Sequence, residues 1–364
     1  MFGFFKNKKQ DYEAEIVSAG KTLTVKPGEN LLKTALEAGI DWPNDCRVGS
    51  CGTCKCRLVD GKIKPLADFS YVLEGDELRE GYILACQTAL KTNIKVDVDL
   101  PDSNGVEKIS LWESDAVISE IKDLTHDIKE IVIRITDPKL LASNDVLYKA
   151  GECAELKLPH IDQARSYSFA SAPKLGQDEF RFYIRLVPGG EFTTWLFDAD
   201  RTGEALKISG PYGNFWLREE STPITCVAGG SGMSAIIGIL QGAMQENIKR
   251  DVRFLFGART QADLYCDEII SELASYWESQ NLGKFEYVPC LSEEPEGTSW
   301  QGNKGFVTEF IANDLGEHID GQAYLCGPPG MIDAAISVFE EKGLSSDAIF
   351  FDKFLDSSSM PGGR

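Results

Sequence analysis

The sequence lacks any stretch of about 18 consecutive apolar residues, the length needed to cross a bilayer, and it has only three histidines in 364 residues. The segment Met1–Lys6 reaches a charge after five residues, which argues against an export signal, so we expect a cytoplasmic chain. His126, His160 and His318 have no spacing typical of a metal site or a catalytic triad. These absences exclude a membrane-spanning enzyme and leave hydrolase chemistry without support.

Basic residues are also few, since 37 lysines and arginines face 57 aspartates and glutamates for a net charge of −20. Such a balance argues against a nucleic-acid partner, because the phosphate backbone would be repelled. The charge is uneven: residues 1–103 carry 14 basic and 16 acidic residues, which leaves −18 for residues 104–364. An anionic cofactor bound in the second part must therefore be held by local arginines and backbone amides.

Five of the ten cysteines fall between Cys46 and Cys86, and four of these have a spacing that indicates an iron–sulfur cluster. Cys46-x4-Cys51-x2-Cys54 is followed after 31 residues by Cys86, which is the plant-type [2Fe–2S] ligand spacing. The alternative is a zinc site, but zinc ribbons normally pair two Cys-x2-Cys motifs and this sequence offers one. We therefore predict that these four thiolates bind a [2Fe–2S] cluster.

The loop between the first three of these cysteines has features that suit an anionic cluster. Gly49 and Gly52 allow backbone amides to turn toward the sulfurs, and Arg47 lies beside them. Cys56 follows Cys54 on a predicted strand, and we interpret it as a buried non-ligand because four ligands are already present.

The order of patterns along the chain predicts three domains, residues 1–103, 104–220 and 221–364. The first has strands and one helix and ends in a linker at residues 100–105; the second is rich in strands that suggest a small antiparallel barrel. After Pro223 the pattern becomes strand, glycine turn, apolar helix and strand, which is typical of a parallel sheet. The fold class is therefore a multidomain mixture of α+β and α/β.

Residues 12–103 resemble a plant-type ferredoxin domain of the β-grasp type, and the strand-rich part carries a flavin motif. Arg165–Ser168 reads Arg-Ser-Tyr-Ser, similar to the Arg-x-Tyr-Ser/Thr motif of the ferredoxin–NADP reductase superfamily. The resemblance implies that Arg165 pairs with a FAD phosphate, Tyr167 packs on the isoalloxazine, and the Ser168 hydroxyl bonds near flavin N5. These roles suit a bidentate guanidinium, an aromatic ring and a hydroxyl.

A second flavin motif of the same superfamily resembles residues 184–193, where two glycines bring backbone amides to the pyrophosphate. The cofactor-binding residues that this resemblance implies are Ile184, Arg185, Gly189, Gly190 and Thr193. The turn Gly210–Gly213 resembles the one that closes the flavin barrel. Each motif alone could be an ordinary turn or strand surface, but their common order favours a flavin domain.

The third part resembles the nucleotide-binding domain of that superfamily. A strand runs into Gly230-x-Gly232-x-x-Ala235 and then a helix, so the helix N-terminus can face a pyrophosphate. Cys326-Gly-Pro resembles the motif whose cysteine lies beside the nicotinamide, and Phe354 is the candidate aromatic residue against the flavin. The nucleotide-binding residues implied are Gly230, Gly232, Met233, Arg259, Asp263, Cys326, Gly327 and Pro328. Ser168, Cys326 and Phe354 are the catalytic candidates.

The domain order resembles that of reductase components of bacterial multicomponent oxygenases, both Rieske dioxygenases and diiron monooxygenases. The resemblance implies an NADH-dependent enzyme of the ferredoxin–NAD⁺ reductase type with FAD, a [2Fe–2S] cluster and a terminal oxygenase or ferredoxin as partner. We expect a monomer. We also expect a preference for NADH over NADPH, because Arg259 is followed by the acidic Asp263 and the region is strongly negative. The alternatives are a soluble relative of an NADH:quinone reductase subunit and a non-enzymatic iron–sulfur carrier or redox sensor.

Overall fold

The computed structural model describes residues 11–44, 47, 49, 52–100, 110–143, 147–161, 164–316 and 318–354. The chain divides into two compact units, Met1–Lys108 and Ile109–Arg364. The predicted linker lies outside the described residues except for Leu100. The division into three domains at residues 103 and 220 stays a prediction.

The first unit is a mixed five-stranded sheet that packs against a helix, as expected for a ferredoxin of the β-grasp type. Its elements are β1 (Tyr12–Ile16), β2 (Lys21–Val25), α1 (Leu31–Glu37), β3 (Lys55–Asp60), β4 (Ile63–Pro65), α2 (Gly75–Arg79), β5 (Tyr82–Leu84), β6 (Thr88–Leu90) and β7 (Ile94–Asp97). The sheet order is β2-β1-β7-β3-β5, in which β1 and β7 are parallel. Asn30 caps α1 by accepting the Lys33 N–H, and the buried face of the helix carries Leu31, Leu32 and Ala35.

The second unit begins with a six-stranded antiparallel sheet that nearly closes into a barrel. Its elements are β8 (Trp112–Asp123), β9 (Ile128–Ile135), α3 (Pro138–Ser143), β10 (Cys153–Lys157), β11 (Arg165–Ser168), β12 (Glu179–Arg185), α4 (Glu191–Asp198) and β13 (Ala205–Tyr212). The order is β11-β10-β13-β8-β9-β12, and a bridge between Phe169 and Phe182 joins the two edge strands. Inward-facing aromatic and β-branched residues fill the interior, which confirms the predicted antiparallel barrel.

A parallel six-stranded sheet with helices follows in the same unit. Its elements are β14 (Ile224–Gly229), α5 (Met233–Gln245), β15 (Val252–Ala258), α6 (Asp267–Ser279), β16 (Phe285–Leu291), β17 (Asn303–Lys304), α7 (Val307–Asp314), β18 (Gln322–Gly327), α8 (Pro329–Glu341) and β19 (Ile349–Lys353). The order β17-β16-β15-β14-β18-β19 reverses direction beside β14, and ligands of such sheets bind where the order reverses, at the carboxyl ends of the strands.

Besides the core inside the barrel, one hydrophobic cluster is shared by the barrel and the parallel sheet. Ile128, Tyr183 and Phe215 from the barrel region belong to the same buried cluster as Met233 and Phe256 from the nucleotide-binding part. Among the described residues, no helix is both long and apolar enough to cross a bilayer.

Candidate functional site

Two of the four predicted cluster ligands lie together in the first unit. Cys54 comes directly before β3 and Cys86 is the second residue after β5, and antiparallel pairing of these strands places Lys55 opposite Leu84. The Cys86 N–H points at the Cys54 sulfur, with 3.5 Å between nitrogen and Sγ, and both residues are buried. Cys46 and Cys51 lie outside the described residues, so their role as ligands stays a prediction.

The described part of the cysteine loop has the backbone that the sequence predicts. Arg47, Gly49 and Gly52 all have positive φ, and the Arg47 carbonyl accepts a bond of 3.2 Å from the Gln87 side chain beside Cys86. A left-handed residue in a turn lets neighbouring backbone amides point to one side, which suits an anionic cluster. Burial, together with the neighbouring Cys54, holds the pKa of the Cys56 thiol well above its usual value. Its role as a non-ligand stays a prediction.

The first flavin motif forms the edge strand β11 of the barrel. Tyr167 packs against Phe192 with 5.3 Å between ring centres, and burial raises the pKa of its phenol. Arg165 is half-buried at the start of the strand, and Ser168 is buried at its end. The structure thus places the three side chains on one short strand, as the motif predicts.

The second flavin motif runs from the end of β12 into α4. Gly189 has a φ of 74° and Gly190 is the N-cap of α4, so backbone amides of the first helical turn are directed out of this segment. The Thr193 hydroxyl is engaged locally: it accepts the Val187 N–H at 3.1 Å and lies 3.2 Å from the Val187 carbonyl. It closes this turn in the structure, and its predicted phosphate contact remains untested.

The glycine turn at residues 230–232 lies between β14 and α5, against the end of β18. A Cβ on Gly232 would lie 2.1 Å from the Cys326 carbonyl oxygen, so only glycine allows this approach of turn and strand. The Gly230 carbonyl accepts a 2.7 Å bond from the Tyr265 hydroxyl, and a Cβ on Gly230 would lie 3.4 Å from the Arg185 guanidinium. The barrel's Arg185 and the nucleotide motif's glycine turn are therefore neighbours.

These neighbours line a cleft at the carboxyl ends of β14, β15 and β18. Its lining includes Asp127, Arg185, Gly230, Arg259, Phe306 and Pro328. Arg259 is bonded to Asp263 at 3.1 Å, and Asp263 in turn accepts the N–H and hydroxyl of Thr260. Phe306 is 65% exposed although it is a large aromatic residue, so the cleft presents an uncovered ring. The sequence did not indicate Phe306, because Gly305-Phe306-Val307 matches no functional motif.

The predicted catalytic residues converge where β11, β18 and β19 end. The Ser168 hydroxyl lies 3.5 Å from the Asp352 carboxylate, and the β18–β19 register pairs Cys326 with Asp352. Burial, with Asp352 and Cys153 nearby, holds the pKa of the Cys326 thiol well above its usual value, so the thiol stays protonated. The Phe354 N–H bonds to the Gly327 carbonyl at 2.8 Å, which ties the end of β19 to the Cys-Gly-Pro segment. Asp352 was missed in the sequence because its place depends on this register.

Comparison with known proteins agrees with this geometry. Three domain families match in the predicted order: the 2Fe-2S iron-sulfur cluster binding domain over residues 15–91, the oxidoreductase FAD-binding domain over residues 115–216 and the oxidoreductase NAD-binding domain over residues 226–336. The chain is 39% identical over 338 residues to the electron transfer component of xylene/toluene monooxygenase from Pseudomonas putida, covering 92% of this chain and 91% of that protein. The chain belongs to the reductase components of multicomponent oxygenases.

Other relatives of this reductase component serve different oxygenases. It is 31% identical to the phenol 2-monooxygenase reductase component of Pseudomonas sp. strain CF600, with 96% of each chain covered. It is 32% identical to the electron transfer component of anthranilate 1,2-dioxygenase from Acinetobacter baylyi, over 93% of this chain and 96% of the relative. Among solved structures, the Amycolatopsis cytochrome P450 reductase superposes with a TM-score of 0.79 at 28% identity, covering 94% of this chain and 98% of that one.

The comparisons confirm the main predictions for the reductase component. It is an iron–sulfur flavoprotein oxidoreductase with binding domains for a [2Fe–2S] cluster, FAD and NAD, and it transfers electrons from NADH through FAD to the cluster. A non-enzymatic iron–sulfur carrier would leave residues 115–216 and 226–336 without a use, so this alternative is disfavoured.

Proposed function

We propose that this reductase component supplies electrons to the oxygenase component of a monooxygenase that hydroxylates a hydrocarbon or aromatic substrate. The support is the 39% identity to the xylene/toluene monooxygenase component, against 32% for the anthranilate dioxygenase one. The chain itself contributes no site for the organic substrate in this scheme. It acts as a cytoplasmic monomer.

The observation that carries the proposed mechanism is the convergence of Ser168, Cys326, Asp352 and Phe354 at the ends of three strands. When bound, FAD accepts an electron pair as hydride from NADH, and the [2Fe–2S] cluster passes electrons on singly. The Ser168 hydroxyl lies 3.5 Å from the Asp352 carboxylate, which would orient it, and it would bond near flavin N5 when FAD is bound. The protonated Cys326 thiol and Phe354 fill the space around the nicotinamide and limit the access of water.

The binding residues are assigned by their chemistry. Arg165 holds the FAD phosphates, Tyr167 packs on the flavin, and the amides that follow Gly189 and Gly190 face the FAD pyrophosphate. Gly230 and Gly232, with the start of α5 at Met233, receive the diphosphate of NADH. The uncovered Phe306 ring is suited to stack on the adenine.

Replacing a cluster ligand tests the assignment of the iron–sulfur site. Cys86→Ser should lose the [2Fe–2S] signal in electron paramagnetic resonance and the transfer to cytochrome c, yet keep NADH oxidation by ferricyanide, which can accept electrons from FAD. Cys56→Ala is the matched control, since it removes another buried thiol of the same domain and should retain the signal. A normal [2Fe–2S] signal in Cys86→Ser would contradict the ligand assignment.

The partner is tested by measuring substrate oxidation with purified oxygenase components. With NADH and this chain, a monooxygenase component should turn over its substrate faster than a Rieske dioxygenase component, and reduction of cytochrome c serves as the generic control. Faster turnover of the dioxygenase would overturn the choice of partner while leaving the reductase activity intact.

A further inference from the structure

Asp127 is a carboxylate that lies between two arginines of the nucleotide cleft. It occupies the turn between β8 and β9, and its side chain is only 16% exposed. Its Oδ2 atom accepts bonds from Arg185 Nε at 2.9 Å and from Arg259 Nη2 at 3.2 Å. One oxygen of one carboxylate therefore joins the end of β12 in the barrel to the segment after β15 in the nucleotide domain.

Arg185, which the flavin motif assigned to FAD, and Arg259 both line the nucleotide cleft, where an anion is expected. Arg185 lies beside Gly230, the first residue of the glycine turn, and both line the cleft together with Arg259. They provide positive charge at a cleft within a region of net charge −18, where a dinucleotide diphosphate needs cationic partners. In the structure, however, donors of both guanidinium groups are directed at Asp127.

The position of Arg259 does not depend on Asp127 alone. Arg259 also bonds to Asp263, and Asp263 is fixed by the Thr260 backbone and hydroxyl. Asp127 itself is held through its other oxygen by the Thr125 hydroxyl at 3.1 Å. Removing the charge of Asp127 should therefore leave Arg259 aligned and make its guanidinium available to another anion.

Asp127 is ionised at neutral pH. Burial acts to raise its pKa, but the charge of Arg185 and hydrogen bonds from Arg185 and Thr125 outweigh burial, so the pKa lies below its usual value. His126 and Asp263 lie close enough to form a three-ligand set with Asp127, yet both carboxylates are bonded to Arg259. The cluster is thus an ion-pair network rather than a cation site.

We propose that Asp127 is an internal counter-anion that competes with the diphosphate of the nicotinamide nucleotide for Arg185 and Arg259 and so limits nucleotide affinity. This inference rests on the nucleotide cleft assigned under the proposed function. Binding of the dinucleotide exchanges one anion for another at the two guanidinium groups. The same exchange in reverse returns the arginines to Asp127 when the oxidised nucleotide leaves, which favours product release.

The test compares Asp127→Asn with Asp123→Asn in the full-length holoprotein. Asp123 is the matched control because it lies on the same hairpin and pairs with Lys129, but its side chain is 75% exposed. Dissociation constants are measured for NAD⁺ and for adenosine, which has no phosphate. We expect Asp127→Asn to bind NAD⁺ about threefold or more tightly than wild type, with adenosine binding unchanged in both variants. FAD absorbance and the melting temperature check that each variant is folded.

Steady-state kinetics with ferricyanide provide a readout that a structural role would not give. Asp127→Asn should lower KM for NADH and the inhibition constant of NAD⁺ together, without raising kcat. In an Arg259→Gln background the same substitution should gain less NAD⁺ affinity, because one of the two arginines it releases is missing.

The outcomes separate this inference from the proposed function. If wild type binds NAD⁺ and Asp127→Asn binds it equally or more weakly while remaining folded, Asp127 does not compete with the nucleotide. If wild type fails to bind NAD⁺ at all, the cleft is not the nucleotide site and both proposals are wrong.

Discussion

The predicted role of Arg165 in FAD binding can be tested directly by substitution. It is half-buried at the start of β11, where its guanidinium bonds to the Ala164 carbonyl at 3.1 Å. Arg165→Ala should weaken FAD binding by about 1.5–3 kcal/mol, since it removes a charge-assisted bond to phosphate in a strongly acidic region. The measurement is FAD occupancy after extensive dialysis.

Arg134→Ala is the control for this substitution, because Arg134 lies on β9 of the same sheet and pairs with Glu179 at the surface. It should retain FAD. Full FAD occupancy in Arg165→Ala after the same dialysis would show that Arg165 does not hold the FAD phosphates.

Glu152 is a buried carboxyl whose ionisation should make stability depend on pH. Burial raises its pKa to about 7, although the Lys149 N–H bonds to it. The unfolded chain ionises near pH 4.5 and the folded one near pH 7, so stability falls as pH rises through this range. The cost should approach about 3 kcal/mol above pH 7 and vanish below pH 4.5.

Glu152→Gln should remove this cost while keeping an oxygen that can accept the Lys149 N–H. The difference in melting temperature between variant and wild type should be near zero at pH 4 and grow toward pH 7.5. Exposed Glu120→Gln is the control and should give a pH-independent offset. If the difference in melting temperature between Glu152→Gln and wild type does not change with pH, the Glu152 carboxyl is not held protonated.

At the scale of elements, the order and type of strands and helices could be predicted from periodicity, and the ends of the elements could not. β8, for example, extends over Trp112–Asp123, because its pairing with β9 and β13 continues through positions that face solvent. The closure of the barrel through Phe169 and Phe182 depends on contacts between distant strands.

The candidate site was predictable to a similar extent. Local motifs contain Arg165, Gly230 and Cys326, so the resemblance to the family's motifs identified them. Asp352 contacts Ser168, and Asp127 contacts Arg185 and Arg259. These partners are all more than 50 residues away in sequence, so only the fold brings them together.

The contact between the glycine turn and β18 gives a prediction at this scale. Gly232→Ala would place a methyl group 2.1 Å from the Cys326 carbonyl oxygen, so the start of α5 must move away from the strand end. We expect KM for NADH to rise several-fold while the FAD absorbance is retained. Gly330→Ala is the control, because a Cβ there meets no atom within 4 Å. Equal KM values in the two variants would contradict the required close approach.

For the whole molecule, the charge distribution predicts a preference for NADH over NADPH. Residues 104–364 carry a net charge of −18, and Arg259 is already bonded to Asp127 and Asp263, which leaves little positive charge for an added phosphate. The measurement is kcat/KM with ferricyanide for each nucleotide. A value for NADPH equal to or above that for NADH would overturn the preference.

The core shared by the barrel and the parallel sheet has a consequence for thermal denaturation. Ile128, Tyr183 and Phe215 are buried against Met233 and Phe256, so melting either part exposes apolar surface of the other. Flavin release can be monitored by the rise of free-flavin fluorescence. It should therefore occur at the same temperature as the loss of NAD⁺ binding, in a single calorimetric transition. A folded nucleotide domain that outlasts its flavin on heating is not expected of this architecture.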